Sequence, residues 1–343
     1  MELSILENVA HLLLALTLLA IALVTTLWIA GAIYFDVGRG RSFAWPLTLL
    51  WILAVVSAFL FWKPSWQPLL ALLALFTLFL YWWFSLQPSN DRDWDPNFAV
   101  LPRFDIDGDQ VRVQNVRDTE YRTLTDFTPR YETRNYRLSH LKSVDVAITF
   151  WGSPWLCHPM LSFDFGNEGR ICISIEVRYR AGQRYGFFSS LYRQHEIMYV
   201  VSDERDAILK RSKYSENHDV YLYRVYAEAE KVSQVFLEYV VSVNELFDKP
   251  RWYHGLTSNC TTTVYRQRAQ EVDWDWRWLF NGKLSEMLYD HGRLDKSLPM
   301  AELKQQSKVN EIANRAPHER FGDFIRRELP AYRHDPSDIA EIT

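Results

Sequence analysis

The chain is poor in charge along one stretch and poor in cysteine throughout. Of its 80 charged residues only six fall in residues 1–86: Glu2, Glu7, Asp36, Arg39, Arg41 and Lys63. The other 257 residues carry the remaining 74, so the overall 23% charged content describes neither part. Three cysteines, Cys157, Cys172 and Cys260, exclude complete disulfide pairing, and their spacing fits no zinc pattern. HEXXH is absent, as are a glycine-rich phosphate loop and a G-x-S-x-G elbow. No metal and no cofactor is therefore expected. No basic stripe accompanies the net charge of −4, which argues against a nucleic-acid partner. Aromatic residues are not scarce. The 14 Trp, 18 Tyr and 20 Phe exclude a disordered chain, which could not afford that much apolar surface.

Three long apolar runs occupy the charge-poor part. Residues 9–33, 43–62 and 67–86 contain no Asp, Glu, Lys or Arg. Each is about 20 residues or longer, enough to cross a hydrocarbon core of roughly 30 Å as a helix. Trp28, Trp45, Trp51, Trp62, Trp66, Trp82 and Trp83 cluster near several expected ends, where indoles favour the interface. The first run is too long for a signal-peptide core. Residues 1–86 thus read as a three-helix transmembrane anchor. Arg39 and Arg41 in the first loop, against Lys63 alone in the second, favour a cytoplasmic first loop and a cytoplasmic soluble domain.

Residues 87–100 (QPSNDRDWDPNFAV) are polar and turn-rich and read as a linker. Residues 101–295 read as an α+β domain, a mostly antiparallel sheet with helices toward the carboxyl end, and 296–343 as a helical extension. Strand patterns occur in Asp105–Val116 around a GD turn, Val144–Trp151, Met160–Phe165, Ile171–Tyr179, Ile197–Ser202 and Val220–Tyr226. Gly166–Asn167–Glu168–Gly169 marks a hairpin turn. Helical spacing predicts a helix over Glu228–Phe247, and further helices over 260–271, 284–291, 299–312 and 319–329. Asp203–Glu204–Arg205–Asp206 reads as a charged helix start.

One segment concentrates reactive chemistry. In Ser258–Asn259–Cys260–Thr261–Thr262–Thr263 a capping Ser or Asn precedes a helical run and puts Cys260 in its first turn. The partial positive charge there favours a thiolate, and outward amides could hold an oxyanion. A cysteine at such a place is most often a small buried residue, so the reading needs a base. Of nine histidines, His158 opens a strand and shares a face with Met160, Ser162 and Asp164. A three-residue hairpin loop, Gly166 to Glu168, would set Glu176 opposite His158, on one face with Ser174 and Arg178. A one-residue slip would send Glu176 to the far face.

The strings PSNDRDW (88–94), TDFTPRYETR (125–134), WGSPWLCHPMLSFDFG (151–166), ISIEVR (173–178), SDERD (202–206) and SNCTT (258–262) resemble the bacterial membrane-anchored family that contains the Lnb-type lipoprotein N-acyltransferase periplasmic domain. The resemblance covers about 87–295. It implies a permuted papain-like, NlpC/P60-like arrangement in which the histidine precedes the cysteine. It implies Cys260 as nucleophile and His158 as base, with Glu176 or Ser174 in support and Asn259 and Thr261 beside the nucleophile. Relatives more often carry Ala before this His and Thr after it, where this chain has Cys157 and Pro159. The resemblance also implies a periplasmic domain on a multi-pass bacterial inner-membrane protein, against the vote of the two arginines. The expected activity is thiol acyl transfer from a phospholipid to an amine such as a lipoprotein amino terminus. A thiol hydrolase of envelope peptides and a non-catalytic envelope binding module are the alternatives. Whether Cys157 and Cys172 pair is left open by the sequence.

Overall fold

The computed structural model describes residues 2–37, 41–62, 66–268, 274–278 and 281–332. Arg39, Lys63 and the ends of the helix expected at 260–271 and of the carboxyl-terminal extension lie outside the described residues. The chain divides into two compact units: Met1–Ser89 with Tyr185–His195, and Asn90–Arg184 with Glu196–Thr343.

The first unit contains three helices long and apolar enough to cross a membrane. They are α1 (Glu2–Ala32, continued by a wider turn over Ile33–Val37), α2 (Arg41–Phe61) and α3 (Trp66–Ser85). Leu12, Leu19, Leu50, Leu73 and Leu78 point outward and are largely exposed. That is the inverse of a water-soluble bundle and suits hydrocarbon surroundings. Small residues lie inside instead: Ala22, Ala30, Ala32 and Ala44 are buried. Trp28 meets Phe76, Phe79 and Trp83 edge-on. The Trp51 indole donates to the Thr26 carbonyl at 3.1 Å.

The second unit is built on one eight-stranded sheet in the order β1-β2-β9-β8-β7-β6-β10, with β5 also on β2. The strands are β1 (Arg103–Asp107), β2 (Gln110–Arg117), β5 (Tyr131–Arg137), β6 (Ser143–Trp151), β7 (Cys157–Asp164), β8 (Arg170–Arg178), β9 (Glu196–Asp203) and β10 (His218–Val225). A small ribbon, β3 (Glu120–Tyr121) with β4 (Phe127–Thr128), lies apart. Every ladder is antiparallel except a single parallel pairing, Arg117 with Ser202, between β2 and β9. The expected α+β class with a mostly antiparallel sheet is what the unit shows.

Helices cover both faces. Against one lie α5 (Ala229–Asp248), α6 (Cys260–Arg268) and α7 (Leu284–Asp290). The α5 stripe Val232, Phe236, Tyr239, Val240 and Val243 buries against Phe163, Ile173, Ile175 and Tyr199. Against the other face lie α4 (Glu204–Ser212), α9 (Asn310–Arg315) and α10 (Phe321–Glu328), which enclose Ala147, Met160, Cys172 and Leu222. Alternation along each strand therefore serves two cores, not core and solvent. A buried ionic cluster fixes α10: Arg326 pairs with Asp145 at 2.5 Å and Glu204 at 2.6 Å, and Tyr332 donates to Asp145.

Two sequence readings need correction. Residues from Asn90 onward are no free linker. Asn90 donates to the Phe247 carbonyl, Asp95 pairs its backbone with Tyr179, and Trp94 is buried under the Arg178 guanidinium, 4.0 Å away. Arg178 also donates to Asn90 Oδ1 and to the backbone carbonyls of Phe98 and Ala99, so the stretch is fastened to β8 at both ends. The helix expected over 299–312 is two, α8 (Met300–Gln306) and α9. Between them Ser307 and Val309 turn their backbone groups to Leu222 and Val220 of β10, which interrupts the helical ladder.

Candidate functional site

Asn259 builds the nucleophile's turn. Its Oδ1 accepts from the Thr261 and Thr262 amides at 3.1 and 2.9 Å, and its Nδ2 donates to the Gly255 carbonyl. This satisfies orphan donors of the first turn and starts α6 at Cys260. The preceding turn is held by His254, whose Nδ1 lies 3.2 Å from the Thr257 amide. The Thr261 amide and hydroxyl are thus both spent on Asn259. Asn259 and Thr261 shape the turn and do not face the thiol with a free donor.

The hairpin has the short turn over Gly166–Glu168 and the register in which Met160 faces Ser174 and Ser162 faces Cys172. Continued two residues, that register brings His158 to Glu176, and His158 Nε2 lies 3.0 Å from Glu176 Oε1. The same oxygen receives Ser174 Oγ at 2.8 Å and Arg211 Nη2 of α4 at 2.5 Å. Hydrogen bonding between β7 and β8 ends at Met160 opposite Ser174. Pro159 therefore sits beyond the end of that ladder, paired only with Ile148 of β6, where its missing N–H breaks nothing on the β8 side.

The Cys260 side chain is near enough to the His158 ring to raise its proton affinity. Burial, the largest influence on His158, pulls its pKa down, but the Glu176 carboxylate and the Cys260 contact outweigh it and push it up to about 9. Burial pushes Glu176 up, while His158 and Arg211 hold it well below the usual carboxylate range. At neutral pH the pair is an imidazolium on a carboxylate.

The other thiols differ. All three cysteines are free, so Cys157 and Cys172 form no disulfide. Both are buried, and burial pushes each thiol upward. Cys157 is tied down by Asn281: its amide donates to Oδ1 at 2.8 Å, its carbonyl accepts from Nδ2 at 2.8 Å, and its Sγ donates to the Asn281 carbonyl at 2.9 Å. Thus held, Nδ2 also lies 3.6 Å from Cys260 Sγ.

The sequence reading missed Asn281 and Arg211. Asn281 follows an aromatic run in a segment without regular pattern, and Arg211 lies in an ordinary charged helix. Only contact across 124 and 35 residues, respectively, shows what they do.

Beside Cys260, on the α5 side of the sheet, lies a cavity of about 350 Å³. This is within the range of small-molecule sites. Val144, Val146, Leu161, Ile173 and Ile175 form its floor, and Val232, Val235, Val264, Trp278, Leu284 and Met287 its walls. Lys231, Asp275 and Arg293 are the charged members of its lining, which His291 also joins. His158, Ser174 and Glu176 belong to the opposite face by strand alternation. Cys260 thus connects the polar pair to an apolar cavity, at the place where β7 and β8 cease to pair.

No metal-binding cluster of His, Cys, Asp and Glu occurs among the described residues. No curated protein and no solved structure matches the chain. Residues 127–274, which hold His158, Ser174, Glu176, Asn259 and Cys260, match the family described as the Lnb N-terminal periplasmic domain.

Proposed function

We propose that the protein is a multi-pass inner-membrane thiol acyltransferase whose domain faces the periplasm. The observation that carries this reading is the apolar cavity with Cys260 in its lining. A peptide groove would need polar walls to satisfy backbone groups, whereas an acyl chain needs none. The permuted papain-like order of base and nucleophile is part of the same reading.

The Cys260 thiolate attacks the ester carbonyl of a phospholipid whose acyl chain lies in the cavity. A C–S bond forms, and the oxyanion is held by the Cys260 amide and Asn281 Nδ2. The ester C–O bond breaks, and the His158 imidazolium gives its proton to the departing lysophospholipid oxygen. Neutral His158 then takes a proton from an incoming amine, such as a lipoprotein amino terminus. The amine attacks the thioester, an amide forms, and the thiol is released with the proton returned through His158. Glu176, fixed by Ser174 and Arg211, orients the ring and stabilises its charged form.

Incubation of the purified chain with acyl-labelled phospholipid should give a hydroxylamine-sensitive adduct on Cys260. An absent adduct, or one undiminished in Cys260→Ser, overturns the reading. Release of free fatty acid with no transfer to an amine acceptor would favour hydrolysis.

A further inference from the structure

The segment Tyr185–His195, although inserted within the soluble sequence, forms one compact unit with the apolar helices. Its second half is bolted to the end of the helices. The Tyr192 ring stacks on Phe35 with centroids 5.1 Å apart, and its hydroxyl comes so close to Gly31 that a Cβ there would lie 1.9 Å from it. Glycine at position 31 is what admits the tyrosine to the helix backbone. Gln194 Nε2 donates to the Phe35 carbonyl at 2.6 Å and to Asp36 at 2.8 Å. Asp36 also accepts from the Trp83 indole at 2.8 Å, and the Arg193 guanidinium lies 4.2 Å over the Trp83 ring. This polar cluster joins the ends of the first and third helices, whose apolar stretches finish at Val37 and Ser85.

The first half of the segment is exposed. Phe188 is 71% exposed, Phe187 51% and Tyr185 49%. The turn that presents them is preformed: Ser190 N and Ser189 Oγ both bond the Gly186 carbonyl, and Ser190 Oγ bonds that of Phe187. An aromatic tip fixed by its own turn has little entropy to lose on insertion. It belongs to the same compact unit as the apolar helices and lies a few residues along the chain from the cluster that joins their ends. Aromatic side chains at that level favour the bilayer interface.

We propose that Tyr185, Phe187 and Phe188 insert into the headgroup–acyl boundary of the bilayer, as a membrane contact additional to the three helices. The chain then passes between the membrane-embedded unit and the soluble unit three times, after Ser89, after Arg184 and after His195.

The proposal needs no catalysis and is tested without it. A nitroxide is attached at Phe188→Cys, and separately at Phe187→Cys, in full-length Cys260→Ser protein in phosphatidylethanolamine–phosphatidylglycerol nanodiscs. Cys157 and Cys172 are buried and leave the label to the new thiol. Collision with oxygen should exceed collision with a water-soluble nickel chelate at both positions, the reverse of a label at the exposed Glu216→Cys. Nickel accessibility equal to that control overturns the proposal. Dipolar broadening between labels in discs holding two copies, with low oxygen accessibility, also overturns it and assigns the tip to a contact between chains.

Discussion

Replacing Glu176 by glutamine removes one charge from the His158 pair while keeping the shape of the side chain and an acceptor for Ser174 and Arg211. His158 is at about 9 because the carboxylate outweighs burial. Without that charge, burial acts against the imidazolium, and the ring falls to or below its ordinary value of about 6.5. A change of 2 to 3 units is roughly 3 to 4 kcal/mol of differential stabilisation. At pH 7.5 the wild-type ring is protonated about thirty to one, and the variant's is neutral about ten to one. The thiol loses its cationic neighbour. Histidine-selective NMR of the detergent-solubilised chain reads this directly. The wild-type His158 ring should stay protonated from pH 6 to 8 and titrate near 9, whereas the Glu176→Gln ring should lose its proton at about pH 6.5 or below. Coincident titrations for the two proteins, with the variant folded by circular dichroism, would falsify the idea that Glu176 sets the charge beside the thiol. The same linkage has a sign in stability. The folded-state value of His158 is raised, so its contribution is complete below about pH 6.5 and is lost as pH rises through about 9. Chemical denaturation between these limits should show wild-type stability falling with pH, and Glu176→Gln nearly flat.

Other perturbations separate the parts of the site. Asn281→Ala should lower the rate of Cys260 acylation by about 10² to 10³ with little change in KM, as loss of an oxyanion donor does; a change confined to KM would deny it that role. Ile173→Trp should fill the cavity floor at a cost of about 1 to 3 kcal/mol. It should abolish the adduct from long-chain phospholipid but spare that from a short acetyl ester. Equal loss of both would separate the cavity from acyl binding. Arg326→Leu leaves Asp145 and Glu204 buried without their cation and should destabilise the soluble unit by about 3 to 5 kcal/mol. A variant that melts with the wild type would show the cluster to be dispensable.

The hairpin shows how far the sequence reached. The tight turn at Gly166–Glu168 and the alternation of β7 and β8 together determine which residue faces His158, because turn length sets register and register sets face. Asn259 before Cys260 determines where α6 begins. Three apolar runs are legible because hydrocarbon permits no charge over their length. These are local properties, governed by residues within a few positions of one another. The rest was decided in three dimensions. Asn281 reaches Cys157 from 124 residues away, and Arg211 reaches Glu176 from another helix. The cavity beside Cys260 takes its lining from strands, helices and a loop that no period connects. The segment Tyr185–His195 reads as part of a soluble domain yet packs with the apolar helices, since Gly31, Asp36 and Trp83 were shaped to receive it. By itself the sequence determined the three apolar helices, most strands of the sheet but not β5, and the thiol's place at a helix start, since each follows from neighbours along the chain. Which donors converge on that thiol, and which apolar walls stand beside it, only tertiary packing decided, because those contacts join residues whose separation carries no repeating signal.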